Sequence, residues 1–257
     1  MYNYLVLKTK SDYADDVHGH KMYLGDNDFL HISVNGNYEP SETRFFQNEV
    51  KEGNIVIDIG ANIGYFTLLF AKHAGKRGHV YAFEPEPYNF GLLKKNIEIN
   101  GYTNVTLVNK AVSDCTGKLE LFLNEDNRGD HRIYNSHDGR RSLIIDSISL
   151  DDYFADFDGK INLIKMDIQG AEYHALKGMI SLLSKNPQIV VETEFWPFGL
   201  LCSGIEPKVY LELFLELGFT IYLLNEEKQM ISKADHRRLL DIYTPENRLH
   251  TNLVLKR

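Results

Sequence analysis

The chain has 257 residues, 43% of them apolar and 25% charged, with a formal net charge of −8. That length allows one large α/β domain, alone or with a small appendage, and the composition is that of an ordinary globular protein. The acidic balance argues against non-specific binding to nucleic acid or anionic membrane, and no apolar run approaches the roughly 18 residues of a membrane span.

Residues 1–50 carry short apolar runs at 4–7 and 29–34 and read as an N-terminal cap of hairpin-like strands ending in a helix over 42–50. From Asn54 onward strand and helix signals alternate, and residues 51–257 read as one domain. Strands are predicted at 55–59, 79–84, 104–109, 161–167 and 188–193, and helices at 64–74, 87–99, 170–184 and 206–217. Strands separated by helices of this length imply a parallel sheet covered on both faces, with right-handed crossovers. Two late strands, 219–224 and 251–255, are joined by a polar segment and close the sheet as an antiparallel pair. Residues 124–142 are polar throughout and lie between strand-like runs at 118–123 and 143–147. A loop of that length inside a domain is functional or mobile, which makes it a candidate lid over an acceptor site. The N-terminus shows no basic-then-apolar signal pattern, and Cys115 and Cys202 form neither a disulfide framework nor a zinc motif, so the default compartment is the cytoplasm.

The most informative stretch runs from Val56 to Thr67: a buried strand, a glycine turn and the start of a helix, with Asp58 where strand meets turn. About twenty residues past Gly64, the next strand ends in Glu84-Pro85. A strand–turn–helix–strand–acid unit binds a nucleoside, its terminal carboxylate accepting hydrogen bonds from a ribose diol. A dinucleotide fingerprint aligned on Gly60 would require glycine at positions 62 and 65, where Asn62 and Tyr65 stand. Their side chains would obstruct a pyrophosphate. The pattern Asp58-x-Gly60-x-x-x-Gly64 suits a ligand without phosphates, because Asp58 can face an ammonium group but would repel a pyrophosphate. S-adenosylmethionine has that layout: an amino-acid end, a ribose and an adenine.

Five separated blocks carry a resemblance. Asp58 to Gly64, Phe83-Glu84-Pro85, Lys110 to Asp114, Ser149 to Asp152 and Lys165 to Glu172 occur in order, preceded by Tyr38-Glu39-Pro40. Together they resemble the FkbM family of class I methyltransferases. The resemblance implies a seven-stranded, mostly parallel Rossmann-like sheet with an antiparallel final pair and helices on both faces. It also implies S-adenosylmethionine as donor and methyl transfer to oxygen, often a hydroxyl of a sugar or other natural product. Gln169 departs from the pattern, which more often has glutamate there, and puts in doubt an acid's role at that position.

The expected cofactor site follows. Asp58, Gly60, Asn62 and Gly64 surround the methionine end, Glu84 holds the ribose, Asp114 the adenine, and Asp167 faces the transferable methyl. Glu39, Ala61, Tyr65, Pro85 and Ser113 complete the set. Several have a bland alternative: Asn62 as a helix cap, Glu84 as a surface carboxylate, Asp114 as a turn former, Gly60 and Gly64 as packing residues. Asp167 and Glu172 are the expected catalytic residues, since an alcohol is a poor nucleophile until its proton has somewhere to go. In a continuous helix Glu172 shares the inward stripe of Leu176, Met179, Ile180 and Leu183, whereas His174 falls outward. The alternative for Glu172 is a carboxylate favoured by the helix dipole. Glu192 and Glu194 interrupt a buried strand end, which is costly unless they are paired or functional; Glu192 with Asp167 could ligate a metal, but the spacing is unspecific and no metal is assigned. Phe195, Trp196, Pro197 and Phe198 form either a packed loop or an acceptor platform, and His131, Arg132, Tyr134 and His137 could cover the acceptor. The expected partner is a small-molecule or glycan acceptor rather than nucleic acid, with oligomeric state unassigned. The rivals are a nicotinamide-dependent oxidoreductase and a non-catalytic S-adenosylmethionine-binding module.

Overall fold

The structure is a computed structural model and describes residues 11–26, 28–225 and 230–257. The apolar run at 4–7 lies outside the described residues. The first elements form one antiparallel hairpin, β1 (Tyr13–Val17) with β2 (His20–Tyr23). The run at 29–34 gives a short helix, Ile32–Asn35, in place of a strand. The helix expected at 42–50 begins earlier, as Pro40–Glu49. Proline also opens the helices Pro87–Ile99, Pro197–Cys202 and Pro207–Glu216, where its missing N–H costs nothing and its fixed φ suits the first turn.

The main sheet comprises β3 (Ile55–Ile59), β4 (His79–Phe83), β5 (Val105–Val108), then β9 (Leu163–Met166), β10 (Val190–Phe195), β11 (Thr220–Asn225), β12 (Met230–Lys233) and β13 (Thr251–Lys256). Its order is β12-β11-β13-β10-β9-β3-β4-β5. The strands from β10 to β5 run parallel, and β13 is antiparallel to both β10 and β11. This is the Rossmann-like, mostly parallel sheet with an antiparallel final pair expected from the sequence, with β12 as an eighth strand. The chain moves outward to β4 and β5 on one side of β3, and to β10 on the other side of β9. The crevice at the carboxyl ends of β3 and β9 is therefore a topological switch point, where ligands bind in open α/β sheets.

Between β5 and β9 the chain builds a second sheet of three strands, β6 (Ala111–Val112), β8 (Ser142–Ile148) and β7 (Gly117–Phe122), from which the polar segment 124–142 extends. The helix predicted over 170–184 is two helices, Glu172–Lys177 and Ile180–Lys185. It breaks at Gly178, where a Cβ would lie 2.0 Å from the Ser113 carbonyl oxygen. The polar segment before the last strand holds β12 and a helix, His236–Ile242, capped by Asp235.

Strand alternation divides the core. Ile57 and Ile59 face one apolar cluster with Ile164 and Met166, while Val56 faces the other with Leu163, Phe66 and Phe70. The second cluster includes Val17, Met22 and Phe46 of the N-terminal segment, so that segment shares the main core. The helix Tyr65–Ala74 is covered on both sides and hence apolar nearly all round, Phe46 packing edge-on against Phe66 and Phe70. Among the described residues no helix is long and apolar enough to cross a membrane, and Cys115 and Cys202 are free and exposed.

Candidate active site

A cavity of about 340 Å³ opens at the switch point, within the range of small-molecule sites. Asp58, Gly60, Ala61 and Asn62 line it from the first turn, Glu84, Pro85 and Asn89 from the second, and Lys110, Ala111 and Val112 from the third. Lys165, Asp167 and Gln169 close the methyl-transfer end predicted from sequence. Phe29, Leu30 and Tyr38 cover it from the N-terminal segment, and Arg128, Gly129 and His131 from the long loop.

The glycine turn is built by close approach. Gly60 has φ +80°, and a Cβ there would lie 2.1 Å from the Asp167 carbonyl oxygen, so only glycine lets β3 and β9 turn this close together. The Gly60 and Ala61 N–H groups both donate to the Phe83 carbonyl at 3.0 Å, and the Asn62 N–H donates to Glu84 Oε2 at 2.8 Å. These amides are committed within the protein and form no anion-binding nest, in keeping with a ligand that carries no phosphate.

Glu84 is 5% exposed, with Oε1 accepting from the Glu86 N–H at 2.9 Å. Each carboxylate oxygen is thus fixed by one backbone donor, leaving lone pairs for two ligand hydroxyls. Burial pushes this carboxyl up to about 8. Asp58 is buried too, and Thr67 Oγ1 donates to its Oδ2 at 2.5 Å while Oδ1 has no partner. Asn62 Oδ1, Asn89 Oδ1 and His131 Nε2 are likewise buried and unpartnered, and all four residues line the cavity. Buried polar atoms without partners are rare, and their convergence on one cavity suits a polar ligand supplying the missing bonds.

A polar row crosses the sheet on this face. Asp58 pairs in register with Lys165, which pairs with Glu192. Lys165 is 3% exposed, its Nζ 3.6 Å from Asp167 Oδ2 and 4.9 Å from the Phe66 ring centre. Burial opposes its charge, but Asp167, Glu192, Asp58 and Glu42 outweigh it and raise the ammonium's pKa. Sequence reasoning gave Lys165 no role, although a charge in an apolar strand was a signal. Asn89, in the first turn of a helix, offered none.

Other expected residues lie elsewhere. Gly64 does not line the cavity; its φ is +95°, and a Cβ there would lie 2.7 Å from Leu93 Cδ1, which makes it a packing residue at the helix start. Tyr65 does line it, and its hydroxyl binds Asn37, Thr43 and His18, knitting the N-terminal segment to the helix. Glu39 adopts φ 44° and lies behind Tyr38, outside the lining, with Oε2 unpartnered. Ser113 and Asp114 are also outside it, because the chain turns away after Val112 and Asp114 faces His174 at 3.6 Å. Glu172 does not reach the cavity: fully buried, its carboxylate accepts from the N–H groups of Ile168 and Gly170 and pins the turn after β9. Burial pushes it up to about 7.

The long loop is tied down. Asp130 accepts from both Arg132 and Arg140, and Arg132 lies over Trp196 at 5.0 Å. His131 Nδ1 accepts from the Asn124 N–H, so the buried Nε2 carries the proton and is a donor; burial lowers the ring's pKa. His137 is exposed, away from the lining. Phe195 stacks on Tyr210 in the core, and Trp196 packs on Phe198 outside the cavity. Among the described residues no group of three or more His, Cys, Asp or Glu side chains is arranged to hold a metal ion.

The family profile described as "Methyltransferase FkbM domain" matches residues 58–226, about two thirds of the chain. The protein belongs to this family. Its fold and its methyl donor, S-adenosylmethionine, are those of an FkbM methyltransferase. A hexuronic acid methyltransferase, AglP, from Haloferax volcanii is 27% identical over 197 residues, covering 75% of each chain. A tRNA wybutosine-synthesizing protein 2 homolog from Danio rerio is 33% identical over 121 residues, 40% of this methyltransferase and 29% of that protein. The structure of Aeropyrum pernix fibrillarin with bound S-adenosyl-L-methionine overlaps with a TM-score of 0.48 at 10% identity, covering 97% of this chain and 86% of that one.

Proposed function

We propose that this methyltransferase transfers a methyl group from S-adenosylmethionine to a hydroxyl of a sugar, glycan or related small molecule. The observation that carries the cofactor placement is Glu84, a buried carboxylate fixed by two backbone N–H groups at the mouth of a cavity whose glycine turn offers no phosphate nest. Glu84 accepts from the ribose hydroxyls, Asp58 Oδ1 faces the methionine ammonium, and Ala111 and Val112 flank the adenine. Bound there, the cofactor supplies a cationic, electrophilic methyl group. Asp167 holds the other end, 29% of its side chain exposed, where it would take the acceptor hydroxyl's proton as the methyl passes from sulfur to oxygen, the methyl–sulfur bond breaking to leave neutral S-adenosylhomocysteine. Alignment of donor and acceptor by these fixed groups contributes much of the rate. The loop 124–142 serves as a cover over the cofactor, held shut by Asp130.

The sugar acceptor is supported by the hexuronic acid methyltransferase among the relatives. Transfer of labelled methyl to uronic-acid oligosaccharides, neutral oligosaccharides and tRNA tests it. Label in a saccharide is expected, with Asp167→Asn lowering transfer about 100-fold while S-adenosylhomocysteine binding persists. Label in tRNA alone would reject the sugar acceptor. Thermal stabilisation by NAD in place of S-adenosylhomocysteine would reject the donor.

A further inference from the structure

Two carboxylates from neighbouring strands meet at the methyl-transfer end. Asp167 follows β9, and Glu194, 8% exposed, stands near the end of β10. Between them lies the side chain of Gln169, whose Nε2 donates to Asp167 Oδ1 at 2.9 Å and to Glu194 Oε2 at 3.3 Å. The residue reaches this position through a left-handed backbone, φ 56°. Asn62, also left-handed, lines the same cavity, and a non-glycine residue held in that conformation is a local strain the surrounding structure must support.

The surroundings are acidic from every side. The N-terminal helix and its cap bring Glu42 and Glu39, β3 brings Asp58, the turn after β9 brings Glu172, and β10 adds Glu192. Lys165 is the cation among them, and it faces Asp167 Oδ2, the oxygen that Gln169 leaves free. Adjacent carboxylates in a buried site ordinarily come together by sharing a proton, because like charges this close cannot both ionise without a donor between them. A neutral amide has two N–H groups and can give one to each.

We infer that Gln169 is a positioning residue of the methyl-transfer end: its amide bridges Asp167, which lines the cavity, to Glu194 behind it, and so holds the Asp167 side chain turned to the donor's sulfonium. This rests on the placement of the donor beside Asp167 proposed above. The bridge lets a cationic donor arrive, and a neutral product leave, with no proton exchanged at position 169. A carboxyl in the same place could make either contact only while protonated, and a cation beside it would expel that proton.

Calorimetry in buffers of different ionisation enthalpy tests this with S-adenosylmethionine and S-adenosylhomocysteine alone, so no acceptor is needed. Gln169→Glu is nearly isosteric and is expected to release about one more proton than the natural chain on binding S-adenosylmethionine near neutral pH, and no more on binding S-adenosylhomocysteine. Gln169→Asn tolerates the left-handed backbone but is one methylene short, and should lower affinity for the cationic donor relative to the neutral product by about 10-fold. The same proton count in Gln169→Glu as in the natural chain, or an extra proton with both ligands, would overturn the inference. Should Gln169→Glu not fold, an unchanged affinity ratio in Gln169→Asn overturns it. Absence of heat with either ligand in the natural chain would instead sink the donor placement on which it rests.

Discussion

At Glu84 the backbone donors of Asn62 and Glu86 hold the carboxylate whether or not a ligand is present. Glu84→Gln keeps one acceptor oxygen but sets its NH2 against one of these two backbone donors, and should bind adenosine or S-adenosylhomocysteine about 10- to 100-fold more weakly by calorimetry. The pH dependence has a definite sign. Burial raises the carboxyl to about 8, and ribose binding needs the carboxylate, so adenosine affinity should rise as pH climbs through about 8 and be flat in Glu84→Gln. The place of Glu84 at the cavity was legible because an acid ending a strand after a glycine turn stands at the edge where ligands bind in open α/β sheets. Glu172 was not, since helix periodicity reports which way a side chain points but not that the N–H groups of Ile168 and Gly170 would occupy it. Asp114 failed for a related reason: the chain leaves the cavity one residue after Val112, and nothing local marks that turn.

Among the elements, the glycine turn is the most constrained. Gly60→Ala puts a methyl on the Asp167 backbone carbonyl, with φ positive as well, and that nearest partner is backbone rather than the end of a flexible side chain. We expect about 2–4 kcal/mol lost from denaturant unfolding and loss of S-adenosylhomocysteine binding, since β3 and β9 must separate. The central strands and their helices were readable from apolar runs of strand length separated by helical ones. The helix after β9 was not readable as two, because Gly178 looks like an ordinary small residue in sequence and breaks the helix only through its contact with Ser113. The long loop carries its own order in Asp130, Arg132 and Arg140, a charge pattern that in sequence resembles solvated polarity.

Across the whole molecule, burial raises the carboxyls of Glu39, Glu42, Asp58, Glu84, Glu172, Glu192 and Glu194. The folded state therefore holds more protons than the unfolded chain, and their contribution to stability is present below the ordinary carboxylate range and lost as pH rises through about 8. Without cofactor, the melting temperature should fall from about pH 5 to about pH 9, and S-adenosylmethionine should stabilise more at the alkaline end. The convergence of Glu39, Glu42, Asp58, Glu192 and Glu194 around Lys165 depends on three strands and a distant N-terminal helix, so it could not be seen in the sequence, although the single charges at Asp58, Lys165 and Glu192 in buried strands announced it one by one. Where the adenosine lies is decisive. A crystal structure with S-adenosylhomocysteine should show its ribose hydroxyls within hydrogen-bond distance of Glu84 and its sulfur turned toward Asp167; a ribose held by other residues, or a ligand outside this crevice, would contradict it.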